Sequence, residues 1–170
     1  MKTYFASPER LTRKVLTDEV ETVSNDVVVS GLLKSISGLL VILNSNRQIV
    51  SINDSLLKKL GIQDSDKILG LRLGESLNCV HANQNPAGCG TSKFCSSCGA
   101  AIAIASALAD GKDSEQFCAI ETAPEHNNVD NNIALLVKAH PLQVKDKNFV
   151  LIFNFTKRPI IDLCNPDTTT

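Results

Sequence analysis

Tryptophan is absent from the chain, Tyr4 is its single tyrosine, and aromatic residues make up only 4% of the total. Few rings are therefore available to stack on a flat organic cofactor such as a flavin. No basic run carries interleaved aromatics and the formal net charge is −1, which argues against nucleic acid and anionic membranes as partners. No apolar stretch approaches the ~20 residues of a membrane span. None follows Lys2, Arg10, Arg13 and Lys14 as the apolar core of a secretory signal would. The expected location is the cytoplasm, where thiols stay reduced. Paired catalytic acids are missing as well: Asp64 and Asp66 read as helix caps, and the remaining Lys and Arg read as solvated faces. No enzyme is expected. There is no internal repeat, and 170 residues suffice for one domain with its own core.

Against this background the cysteines are unevenly placed. Four of the six fall between Cys79 and Cys98, with His81 among them; Cys118 and Cys164 stand apart. The loop containing them spans residues 78–99. Its spacing is Cys79-x9-Cys89-x5-Cys95-x2-Cys98. Gly88 and Gly90 flank Cys89 and permit the backbone to turn sharply toward an ion or cluster.

Elsewhere the hydrophobic pattern outlines an α+β domain. Ser7-Pro8 reads as a helix start, followed by Leu16, Val20, Val23 and Val27 as a narrow apolar stripe on a helix reaching about residue 34. That stripe suits either packing on its own domain or a short dimer seam. Leu39 to Leu43 and Arg47 to Ile52 read as a hairpin, with Asn53 capping the next helix. An alanine-rich helix is expected over 95–110, then strands over 116–122, 133–140 and 149–155. Two strands, small helices, a loop, a longer helix and three strands predict one five-stranded antiparallel sheet with helices on one face. The expected organisation is an N-terminal helical extension (1–34), a sheet domain (35–157) and a tail (158–170). His126 and His140 have no visible partners and read as structural.

This element order resembles the PAS sensory domain, as does the text from Gly38 to Ile62. A more specific resemblance runs from Leu69-Gly70-Leu71-Arg72-Leu73-Gly74-Glu75 through Cys79-Val80-His81, Gly88-Cys89-Gly90-Thr91 and Cys95-x2-Cys98-Gly99 to Cys118. It is similar to a cysteine-rich PAS subtype of bacterial signalling proteins, often placed ahead of histidine kinase modules. The resemblance implies a sensor of redox state or a diatomic gas, with output through a separate histidine kinase or other signalling effector. It also suggests a homodimer through the N-terminal helix. No kinase sequence follows the last strand, and Asn154-Phe155-Thr156 stands where an Asp-Ile-Thr often leads into an effector. Action alone, action through a partner, and excision from a longer chain all stay open.

The residues admit two metal readings. Four cysteines, or three with His81, suit zinc, although closed zinc sites often pair two short knuckles and only Cys95-x2-Cys98 is present. Cys89-x5-Cys95-x2-Cys98 with a remote Cys79 also lies one residue from a plant-type iron–sulfur spacing. The expected ligands are thus drawn from Cys79, His81, Cys89, Cys95 and Cys98. Cys118 is either a small buried hydrophobe or, if it faces inward, a fifth ligand or resolving thiol. The metal-free alternative is a thiol switch, expected to form a Cys95–Cys98 disulfide at the start of the alanine-rich helix. A third is an interaction module carrying a structural zinc. A thioredoxin-type enzyme is disfavoured because no βαβ unit precedes the motif.

Overall fold

The computed structural model describes residues 2–123 and 132–154. The expected tail, Cys164 and His126 lie outside the described residues. Five strands, β1 (Leu39–Asn44), β2 (Ile49–Ile52), β3 (Ser114–Glu121), β4 (Asn132–Val144) and β5 (Lys147–Asn154), form one antiparallel sheet in the order β2-β1-β5-β4-β3. Alternation along each strand sorts its side chains onto two faces. Val41, Leu43, Cys118, Ile120, Val137, Val150 and Ile152 share one core with α5 (Gly99–Asp110). Leu40, Ile42, Val50, Phe149 and Leu151 share the other with the N-terminal helices.

The N-terminal region departs from the single helix expected from residue 8. Helix α1 runs Arg13–Ser24 and α2 runs Val27–Ser35. The break falls at Asn25-Asp26, where the Asp26 carboxylate accepts from the Val29 N–H (2.9 Å) and starts a new helix. Residues 2–11 form no helix; their backbone groups bond to the cysteine loop and to side chains from elsewhere in the chain. The expected stripe divides accordingly. Leu16, Val20 and Val23 pack onto the sheet, whereas Val27 and Val28 are 85% and 79% exposed. Asn44 donates to Glu19 (2.8 Å), and Lys147 pairs with Asp18, tying α1 to the sheet's hairpin ends. Helices therefore lie on both faces, with α1 and α2 opposite α5.

Asn53 caps α3 (Asp54–Lys59) as expected, its side-chain oxygen accepting from the N–H groups of Leu56 (3.2 Å) and Leu40 (3.1 Å). Its amide nitrogen donates to Gly38 (2.7 Å), so one buried side chain joins helix and strand. Asp64 likewise accepts from Asp66 N–H. His140 has a partner after all: its Nδ1 lies 2.5 Å from an Asp113 oxygen on the exposed surface. The alanine-rich helix starts later than expected. Lys93–Ser96 form a separate 3-10 turn, and Gly99 is the first residue of α5. Gly99 sits against the β3 backbone, where a Cβ would run into the Phe117 carbonyl. This close approach brings the helix start onto the strand that carries Cys118.

Candidate functional site

Cys79, His81, Cys89, Cys95 and Cys98 line one cavity of about 180 Å³, together with Arg47, Arg72 and the start of α5. The expected ligand set is therefore brought to one place. Among the described residues, no three His, Cys, Asp or Glu side chains draw together closely enough to hold a metal ion. The thiols ring a cavity and do not meet at a point.

Each sulfur is positioned by backbone. Cys79 follows α4 (Leu73–Ser76), donates its N–H to Gly74 O (2.8 Å), and bridges to Thr122 just beyond β3. Its sulfur accepts from the N–H groups of His81 and Ala82; burial nevertheless pushes its thiol up from the ordinary value. Cys89 lies between Gly88 and Gly90, both left-handed (φ 86° and 90°), the conformation glycine adopts without strain. Burial pushes the Cys89 thiol up to about 12, opposed by the Gly74 N–H. Gly74 has no room for a side chain, since a Cβ there would lie 2.7 Å from Cys89 Sγ. Cys95 is buried; its sulfur accepts from Gly90 N–H (3.2 Å) and lies 3.3 Å from the Ser92 hydroxyl.

Cys98 precedes α5, and its Sγ lies 3.6 Å from Cys118 Sγ. The Cys118 hydrogen bond is the main cause that draws the Cys98 thiol down to about 6, aided by the N–H groups of Ala101 and Ala100. The Cys118 thiol is pushed up by the same bond. The helix start likewise favours negative charge on Cys98. Cys95 faces Gly90 and Ser92, whereas Cys98 faces Cys118. Cys95 lies within the 3-10 turn and Cys98 at the N-cap of α5, so different elements carry the two sulfurs. Cys118 is 3% exposed and faces the core, as both of its readings required.

Two arginines were expected on solvated faces and are not. Arg72 is 1% exposed. Its Nη1 donates to Ala87 O (3.0 Å) and Cys89 O (3.1 Å), and its Nη2 donates to Glu9 O (2.7 Å) and Ser7 O (3.3 Å). One guanidinium therefore clamps the cysteine loop to the N-terminal segment. Arg47, also buried, donates to Ser7 O, and a Cβ on Gly90 would meet its guanidinium. Burial lowers both guanidiniums, Arg72 to about 10, which leaves Arg72 charged at neutral pH. Glu75 pairs with Arg10 and accepts from the N–H groups of Cys89 (3.1 Å) and Arg72 (2.9 Å). The segment is pinned further by Tyr4 N–H to Thr91 O (3.1 Å), Ala6 N–H to Gly90 O (2.9 Å) and Leu11 N–H to Gln48 (2.8 Å). Arg72 and Glu75 stood in the quoted Leu-Gly-x-Arg-x-Gly-Glu text; Arg47 had no sequence signal.

His81 stacks on Phe94 (centroids 4.2 Å apart, 13° between planes), and its buried Nδ1 has no hydrogen-bond partner among the described residues. A second cavity of about 130 Å³ on the same sheet face is walled by aliphatic side chains such as Leu56, Leu77 and Leu135, and no thiol lines it. Among the described residues, no helix is long and apolar enough to cross a membrane.

No family model matches the sequence, and no curated protein does. The fold is similar to the PAS domain of nitrogen regulation protein NR(II) from Vibrio parahaemolyticus, at 13% identity over 77% of this chain and 99% of that one (TM-score 0.51). It is also similar to an RNA-binding light-oxygen-voltage receptor, at 11% identity over 93% of this chain and 38% of that one (TM-score 0.50). Identity this low speaks to architecture alone. With its five antiparallel strands in the order β2-β1-β5-β4-β3 and α5 across one face, the chain has the PAS fold.

Proposed function

We propose that the chain is a signalling sensor of the cysteine-rich PAS subtype, and that the thiol cavity is its input site, holding a cysteine-ligated metal centre. The ligands in this reading are Cys79, Cys89, Cys95 and Cys98, with His81, whose Nδ1 lacks a partner among the described residues, as the alternate donor. The single observation that carries it is the lining of one cavity by all four loop thiols, each sulfur close to backbone N–H groups. Such N–H groups stabilise negative sulfur and tune a bound centre.

Charge supports the same reading. Arg10, Arg47 and Arg72 are grouped with one carboxylate, Glu75, at the cavity end that holds Cys89. Buried charge is costly unless it is matched. A four-thiolate centre of net negative charge would match these guanidiniums, whereas four neutral thiols would not. Such a centre would be an iron–sulfur cluster, which supplies one-electron redox chemistry, or zinc, which supplies a closed structural site. The chain's own residues would bind it, shield it beneath the N-terminal segment, and join it through Arg72 to Ser7 and Glu9 of that segment, ahead of α1. In this reading the signal is redox state or a diatomic gas. Output goes to a separate signalling effector, or to a second copy through Val27 and Val28.

The test is metal and acid-labile sulfide analysis, with a visible spectrum, on protein purified without air. Iron with sulfide, or zinc, is the expected result. A chain carrying neither overturns the metal reading.

A further inference from the structure

We propose that Cys98 and Cys118 form a disulfide when a hydroperoxide oxidises Cys98, and that the bond withdraws Cys98 from the metal-binding thiols. The bond stands on its own geometry; the withdrawal rests on the four-thiolate reading.

Two observations carry the pair. The sulfurs are already 3.6 Å apart, so closing to the ~2.0 Å of a disulfide needs a small movement. The backbones behind them are also close, since a Cβ on Gly99 would lie 3.3 Å from Cys118 Cα. Side-chain rotation is thus not the sole cause of the contact: helix start and strand are packed together. The two thiols differ in access. Cys98 lines the cavity and is half-buried, whereas Cys118 lies in the core. A small oxidant entering the cavity meets Cys98 first, and Cys118 is the nearby resolving thiol.

The chemistry balances in two steps. Cys98 sulfur attacks a peroxide oxygen; the O–O bond breaks, an S–O bond forms, and water leaves when the peroxide is hydrogen peroxide. Cys118 sulfur then attacks Cys98 sulfur; the S–O bond breaks, the S–S bond forms, and a second water carries away the Cys118 proton. Two thiols lose two electrons in all, and one peroxide gains them.

The experiment treats the full chain, stripped of metal by chelator, with hydrogen peroxide. It then blocks remaining thiols after unfolding and maps linked peptides by mass spectrometry. A Cys98–Cys118 link as the main product is expected. A main link from Cys98 to Cys95, Cys79 or Cys89, or a Cys118 that stays reduced, overturns the proposal. In Cys118→Ala the link is lost and Cys98 is captured as sulfenic acid by a dimedone probe; no capture overturns Cys98 as the entry point. Cys98→Ser keeps the test usable if Cys118→Ala fails to fold, because Cys118 then stays reduced. Loading the wild type with Zn²⁺ before peroxide separates the two readings. Release of zinc in step with the link supports withdrawal, and zinc retained by linked protein overturns it. A chain that takes no zinc or iron by any route but still forms the link overturns the metal reading alone.

Discussion

Cys89 and Cys98 line the same cavity, yet they are held by different means. Cys89 sits in a glycine-flanked turn, pressed against Gly74, with its carbonyl gripped by Arg72 and its N–H by Glu75. Cys98 sits where a helix meets a strand, and its side-chain partner is another thiol. The first arrangement is a fixed holder, since moving Cys89 disturbs Gly74, Glu75 and the N-terminal segment together. The second offers Cys98 two partners, the cavity or Cys118. A site built this way keeps one side rigid and lets the other respond.

The rigid side is broken most severely by Arg72→Gln. Four carbonyls lose a buried charged donor, and the expected cost is at least ~3 kcal/mol in denaturant unfolding. Hydrogen exchange should also show residues 2–11 losing protection, because the clamp on Ser7 and Glu9 is gone. The responsive side is broken by Gly99→Ala, whose new Cβ meets the Phe117 carbonyl; about 1–3 kcal/mol is expected, with loss of peroxide-driven Cys98–Cys118 linkage.

Milder is the contrast in reactivity of metal-free protein. With Cys98 drawn down to about 6 it is mostly thiolate at neutral pH, and its alkylation slows as pH falls through about 6. Cys89, pushed up to about 12, stays a neutral thiol over that range and is alkylated more slowly than Cys98. Equal rates in a peptide-mapped iodoacetamide time course would remove the distinction. The smallest effect is expected from Val27→Ser and Val28→Ser, within ~0.5 kcal/mol of wild type in thermal unfolding at high dilution, since both side chains already face water. If these valines form a dimer seam, the same variants shift the sedimentation profile to monomer.

The strands and α5 were legible because period-two apolar runs and an alanine-rich block are local signals, and Asn53 announced its cap. The gathering of the thiols was legible as well, since a loop with four cysteines and paired glycines has few other uses. What escaped depends on long-range contact. Residues 2–11 look ready for a helix at Ser7-Pro8, yet their carbonyls and N–H groups are taken by Arg47, Arg72, Gly90 and Thr91 from remote parts of the chain. Arg47 and Arg72 look solvated because nothing in their neighbourhood along the chain shows burial. Cys95 and Cys98 look like a pair by spacing; Cys95 lies in the 3-10 turn and Cys98 caps α5, and their sulfurs meet different partners.

The most direct measurement is metal content per chain in anaerobically purified wild type, Cys98→Ser and Cys118→Ala proteins, all checked for fold by circular dichroism. The account predicts bound iron or zinc in the wild type, loss of most of it in Cys98→Ser, and retention in Cys118→Ala. A metal-free wild type, or equal loss in the two variants, would contradict it.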